Sequence, residues 1–202
     1  ANCSYKNSGQ RCTAVKRIFV HEKIAAEFTE ALLAKTRAWS HGDPLDPKTD
    51  LGPMVDANAA GRTQRWVDEA VAMGATTLLG GTADGTYFPP TVLTGVPMHA
   101  QVCSNEAFAP LVVAFPFRDL DEAIAKVNDS MFGLQTGVFT NDLAGAWQAF
   151  AELEVGGVIV NDVPTYRIDN MPYGGVKDSG LGREGLRYAM DDMTEIRIMV
   201  LA

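Results

Sequence analysis

The sequence lacks what a metal centre, a disulfide framework or a membrane span would need. Its three cysteines, Cys3, Cys12 and Cys103, form no dense framework, and its three histidines, His21, His41 and His99, offer no paired ligand spacing. Neither a disulfide scaffold nor a zinc site is supported, and no metal is expected. An odd cysteine count fits thiol chemistry better than bridging. No apolar run approaches the roughly 20 residues that cross a bilayer, and the N-terminus lacks the basic-then-apolar layout of a signal peptide. The chain is therefore expected in the cytoplasm, with no membrane partner. Positive charge is scarce as well: 17 Lys and Arg stand against 25 Asp and Glu, a net charge of −8. Binding to a phosphate backbone needs clustered cations, so nucleic acid is not an expected partner.

What is present is ordinary for a globular protein: 47% hydrophobic and 21% charged residues in a chain of 202. Such a chain buries roughly 70% of its unfolded surface in one core, so one domain or most of one is expected. Short β-rich runs alternate with amphipathic segments, which predicts an α/β fold with a largely parallel sheet flanked by helices. Val15 to Val20 reads as a strand and Glu22 to Trp39 as a helix with Ile24, Phe28 and Leu32 on one face. His41 to Pro53, with its prolines and glycines, reads as a loop. Asp56 is the expected N-cap of a helix running to about Met73, where Gly74 supplies a stop. Thr76 to Leu79, Thr91 to Leu93 and Leu111 to Phe117 read as strands, and Asp119 to Asn128 as a helix opened by acidic residues. Thr136 to Thr140, Asp142 to Leu153 and Gly157 to Asn161 form a β, α, β series; Glu184 to Asp192 reads as a short helix and Glu195 to Leu201 as a last strand. That apolar terminal strand needs a partner edge, from its own chain or from another subunit.

The chemistry-bearing candidate is Cys12, in the polar stretch Asn7-Ser8-Gly9-Gln10-Arg11-Cys12-Thr13 that leads into the first strand. A cysteine is a nucleophile only as its thiolate, and cationic neighbours favour that form; Arg11 adjoins it. The competing reading is that unbridged cysteines are usually small buried hydrophobes, which fits Cys3 and Cys103. Glu106 and Phe108 precede the strand Leu111 to Phe117, where side chains project beyond a sheet edge and ligands commonly bind; alternatively they are a solvated carboxylate and a core aromatic. Gly180-Leu181-Gly182-Arg183-Glu184-Gly185 satisfies a G-x-G-x-x-G pattern, but no strand immediately precedes it and no second βαβ strand follows. Those glycines are expected to shape the turn before the last helix.

Gly9-Gln10-Arg11-Cys12 resembles the nucleophile motif of the aldehyde dehydrogenase superfamily, and three further segments match in order. Asn105-Glu106-Ala107-Phe108-Ala109-Pro110 is similar to its Glu-x-Phe-Gly-Pro cofactor motif, with Ala109 where glycine is usual and Asn105 where a second acid is common. Val160-Asn161 resembles its strand-end asparagine, and Met171 through Glu184 its C-terminal signature. The resemblance implies the catalytic-domain fold of that superfamily, with residues 1–194 its C-terminal portion and residues 195–202 an oligomerisation strand. It also implies a homo-oligomer, dimer or tetramer, when full length. Cys12 would attack an aldehyde substrate to form a thiohemiacetal, hydride would pass to NAD or NADP, and water would hydrolyse the remaining thioester. Glu106 would bind ribose hydroxyls of the cofactor, and Phe108 would pack near its nicotinamide.

Arg11 and Arg167 match positions that hold the phosphate or phosphonate in non-phosphorylating glyceraldehyde-3-phosphate and phosphonoacetaldehyde dehydrogenases, the relatives this sequence most resembles. A guanidinium fork suits such anions, so the expected substrate is a short anionic aldehyde such as phosphonoacetaldehyde. The competing reading makes both arginines exposed or ion-paired surface groups. The superfamily's general-base glutamate, oxyanion asparagine and cofactor-binding domain match no segment here, so the 202 residues alone are expected to be inactive. Alternatives are a coenzyme-A-acylating or semialdehyde dehydrogenase, and a binding or structural homologue without catalysis.

Overall fold

A computed structural model describes all 202 residues as two compact units, Ala1–Val127 and Asn128–Ala202. The first is built on a four-stranded sheet of β1 (Arg17–His21), β2 (Thr76–Leu79), β3 (Thr91–Thr94) and β4 (Leu111–Phe117), in the order β1-β4-β3-β2. β4 runs parallel to β1, with Arg17 opposite Val113, and parallel to β3, with Thr91 opposite Leu111; β2 is antiparallel to β3. Both faces of this sheet are covered, which explains why the central strand reads as an unbroken apolar run instead of an alternation. Leu111, Val113 and Phe115 join one cluster with Val67 and Ala70, while Val112 joins a second with Tyr5, Leu32 and Leu33.

Four helices belong to this unit besides its loops: α1 (Asn2–Tyr5), α2 (Ala25–Arg37), α3 (Ala57–Ala72) and α4 (Gln101–Ser104), with α5 (Leu120–Asn128) at its end. Asp56 caps α3, its side chain accepting the Ala59 N–H at 2.7 Å. A 3₁₀ turn, Glu22–Ile24, begins the segment expected to be wholly helical. Tyr5 is fully buried; its hydroxyl lies 3.2 Å from Thr36 Oγ1 and 3.3 Å from the Thr91 carbonyl. Burial holds that phenol un-ionised, its pKa pushed up to about 12. Tyr5 thereby fastens α1, and the segment after it, to α2 and the sheet.

The second unit contains β5 (Phe132–Gly133), β6 (Gln135–Val138), α6 (Leu143–Glu152), β7 (Gly157–Val160), β8 (Val176–Lys177) and α7 (Leu186–Asp192). β6 and β7 are parallel, with Gln135 opposite Gly157, and β5 pairs antiparallel with β8. Asp142 caps α6 by accepting the Ala144 and Gly145 N–H groups. Asn161 follows β7 in the left-handed region, and its side-chain oxygen accepts the Thr140 N–H at 2.9 Å. Gly180, Gly182 and Gly185 all have positive φ, and Gly185 is the residue before α7, as a turn-forming role requires.

Residues 193–202 carry no regular secondary structure, so the strand expected over Glu195 to Leu201 is not formed in the single chain. The apolar residues there, from Ile196 through Leu201, are exposed. A strand gains its stability from a ladder, and no edge of this chain pairs with them. No helix is long and apolar enough to cross a membrane.

Candidate active site

The segment presenting Cys12 is held by its backbone. After α1 the chain makes a tight turn, Lys6–Gly9, in which Asn7 (φ 58°), Ser8 (φ 55°) and Gly9 (φ 64°) are left-handed. Such a conformation costs about 1–3 kcal/mol at a non-glycine residue and persists only where surrounding bonds impose it. Here Asn7 Nδ2 donates to the Gln10 carbonyl at 3.1 Å, Ser8 Oγ donates to the Gly52 carbonyl at 2.8 Å, and Gln10 Oε1 accepts the Val55 N–H at 2.8 Å. Gly9 is required for a second reason: a Cβ there would strike the carbonyl of Ala109. The polar stretch that leads toward the first strand thus includes a strained, pinned turn.

Cys12 is exposed, whereas Cys103 is buried and Cys3 half-buried; no disulfide joins them. Burial pushes the Cys103 thiol up to about 11, against the pull of Arg17. The Glu106–Pro110 loop alternates like a strand edge. Ala107 and Ala109 are buried, at 2% and 0% exposure, and Glu106 and Phe108 project outward. Short-range bonds fix that alternation, from Phe108 N–H to the Glu106 carbonyl at 3.0 Å and from Ala109 N–H to the Ala107 carbonyl at 2.8 Å. Ala109 takes the place of the usual glycine without disturbing the loop, because its side chain points into the core. A carboxylate that accepts hydroxyl hydrogen bonds and an exposed aromatic ring on one loop fit the ribose and ring of a nicotinamide cofactor.

The site lies at the amino ends of β1 and β4. Ligands of α/β proteins commonly gather at the carboxyl ends of strands; Glu106 lies at the opposite end of the sheet. What brings the Cys12 turn and the Glu106 loop together is the parallel pairing of β1 with β4, so that the segments entering both strands emerge side by side.

Arg11 is half-buried and forms no ion pair. Arg167 belongs to the second unit, where its Nη2 donates to Glu184 Oε2 at 2.7 Å and its guanidinium lies 4.2 Å from the Tyr173 ring centroid. The hydrogen bond it donates to Glu184 raises its pKa further, so the group is permanently cationic. Two residues that sequence reasoning missed hold the first-unit site. Gln10 anchors the turn to Val55, and Lys16 donates through Nζ to the Gly9 carbonyl at 2.7 Å and the Ala109 carbonyl at 2.6 Å. A second cation beside Arg17 at the head of an apolar strand was the available signal for Lys16.

An exposed thiol follows a pinned turn whose Gly9 backbone meets that of Ala109, on the loop that carries the outward Glu106 and Phe108, at the end of a covered α/β sheet. The chain belongs to the aldehyde dehydrogenase family, whose sequence pattern matches residues 1–199. It is 50% identical over 198 residues to the 3-sulfolactaldehyde dehydrogenase of Priestia aryabhattai, covering 98% of this chain and 42% of that protein. Among solved structures, aldehyde dehydrogenase 21 from Physcomitrella patens, in complex with the reaction product succinate, superposes with a TM-score of 0.93 at 44% identity, covering 96% of this chain and 40% of that one. Glyceraldehyde-3-phosphate dehydrogenase from Methanocaldococcus jannaschii, complexed with NADP, gives 0.92 at 39% identity, covering 97% of this chain and 42% of that one. The chain thus spans about two fifths of the length of the relatives it matches. The superfamily and the α/β catalytic-domain fold expected from the sequence are both established by these matches.

Proposed function

We propose that this chain supplies the nucleophile and part of the cofactor site of an aldehyde dehydrogenase acting on a short anionic aldehyde. The observation that carries the reading is the meeting of the exposed Cys12 turn with the Glu106–Ala109 loop at the Gly9 and Ala109 backbones. Cys12 Sγ, as the thiolate, bonds to the aldehyde carbon and gives a thiohemiacetal. Bound NAD or NADP supplies the hydride acceptor. Loss of hydride from the thiohemiacetal carbon and of the proton from its hydroxyl leaves a thioester on Cys12, and attack of water releases the carboxylic acid and restores the thiol. Glu106 would bind ribose hydroxyls of that cofactor, and Phe108 would pack near the nicotinamide ring that accepts the hydride. Turnover is expected where this segment works with a general base and a dinucleotide-binding domain; the 202 residues by themselves are expected to bear a modifiable Cys12 without reducing NAD. The reading also includes a homo-oligomer, residues 195–202 acting as its joining strand, and a cytoplasmic setting that suits thiols without a disulfide.

The anionic substrate is supported by Arg11, which no carboxylate neutralises, and by the relatives, one named for a sulfonate-bearing aldehyde, one for a phosphate-bearing one and one holding a dicarboxylate product. Arg167 has donors to spare beyond the one given to Glu184, since a guanidinium carries five. A phosphonate head, as in phosphonoacetaldehyde, is the finer assignment. It is tested by kcat/KM for phosphonoacetaldehyde, 3-sulfolactaldehyde and propanal in Arg11→Ala and Arg167→Ala variants of the full-length protein. Losing a charge-assisted contact should lower the anionic substrates' values about tenfold or more and spare propanal. An unchanged ratio of anionic to neutral substrate would remove the assignment.

A further inference from the structure

We propose that Lys16 is a positioning residue that ties the turn bearing Cys12 to the loop bearing Glu106 and Phe108, so that thiol and nicotinamide cofactor are held in one register. The inference rests on the functional reading above. Its backbone is a fixed base: the Lys16 carbonyl accepts the Val113 N–H at 2.8 Å, extending the β1–β4 ladder by one bond beyond Arg17. From that base Nζ donates to the Gly9 carbonyl at 2.7 Å, three residues before Cys12, and to the Ala109 carbonyl at 2.6 Å, directly after Phe108. The two segments touch there backbone to backbone, Gly9 having no side chain to hold them apart. Charge-assisted bonds of this length are about twice as strong as neutral ones.

An enclosed ammonium is an expensive way to join two loops, because burial disfavours the charged form. Burial pulls Lys16 down to about 7, with Glu106 opposing. If holding the fold were its whole use, an apolar stem of similar volume would do so without that penalty. The cation's specific contribution is geometric: it fixes the carbonyls that set where Cys12 and Phe108 emerge. Lys16 touches neither substrate nor cofactor in this scheme; it acts through the two segments.

The test compares Lys16→Met and Lys16→Arg in the full-length protein by three readouts: steady-state kinetics, the protection that NAD or NADP gives Cys12 against iodoacetamide, and amide hydrogen exchange. In Lys16→Met, the cofactor KM should rise about tenfold, the scale of one lost charge-assisted bond, with a smaller fall in kcat. Cofactor protection of Cys12 should weaken by a similar factor, and the amides of 9–13 and 106–110 should exchange faster together while β4 stays protected. Lys16→Arg, which keeps the cation and its donors, should restore most of each. A merely structural role lowers the folded fraction, and with it apparent kcat, while leaving the cofactor KM unchanged; that pattern, or exchange changing in only one segment, overturns the inference. Should the Met variant not fold, Lys16→Gln carries the same comparison, and a wild-type cofactor KM there is the overturning result. Absence of NAD(P)-dependent oxidation in the wild-type protein would instead sink the functional reading, and the exchange measurement would still decide whether Lys16 ties the two segments.

Discussion

Lys16 sets the strongest constraint at the scale of single residues. Its folded-state pKa is held near 7 by burial, against the ordinary lysine value of about 10.4 in an unfolded chain. Below about pH 7 both states are charged and the folded protein bears the full penalty of the enclosed cation. Between about 7 and 10.4 the unfolded chain binds the extra proton, so stability rises with pH across that window. The neutral amine keeps two N–H groups for the two carbonyls, as neutral bonds in place of the stronger charge-assisted ones. Urea unfolding at about pH 6.5 and 9 should therefore show the wild-type protein gaining stability relative to Lys16→Met as pH rises. Parallel pH dependence in the two proteins would mean that the ammonium is better solvated than its surroundings suggest. The cation at the head of an apolar strand was visible in the sequence, but its partners were not, because they are backbone carbonyls 7 and 93 residues away. Cys12 was legible, since its neighbours in sequence carry the family motif; the strained turn that presents it was not, because the left-handed Ser8 and the Gln10 that follows it depend on Gly52 and Val55 held elsewhere.

Elements divide by whether their signal is local. β4 is found over the residues read from the sequence, Leu111–Phe117, since a continuous apolar run bounded by Pro110 and Arg118 admits little else. α3 and α6 start where Asp56 and Asp142 cap them. β1 begins two residues later than expected, Val15 and Lys16 being spent on the approach to the sheet. α1 and α4, four residues each, are too short to show a periodicity and exist because their neighbours fix them. The C-terminal segment is the opposite case: its apolar pattern is clear, yet the single chain gives it no partner. If another subunit supplies that edge, full-length protein should scatter light as a dimer or tetramer, and deleting residues 195–202 should reduce it toward the mass of one chain. A wild-type mass equal to one chain, or a deletion that leaves the assembly intact, would contradict the joining role.

For the whole molecule, the family follows from colinear motifs and a match over nearly the entire chain, while the proposed chemistry rests on one juxtaposition inside the first unit. An exposed thiol, an outward carboxylate and an outward aromatic ring are placed by segments entering two parallel neighbouring strands. The sequence supplied the residues in order, and only the β1–β4 pairing shows that they are neighbours. The direct measurement is to mix full-length protein with phosphonoacetaldehyde or 3-sulfolactaldehyde and NAD or NADP, quench in acid, and map acyl adducts by peptide mass spectrometry. The expected result is a hydroxylamine-labile thioester on Cys12 that forms only when the cofactor is present. An adduct on Cys3 or Cys103, or none on Cys12 while the aldehyde is being oxidised, would contradict the assignment.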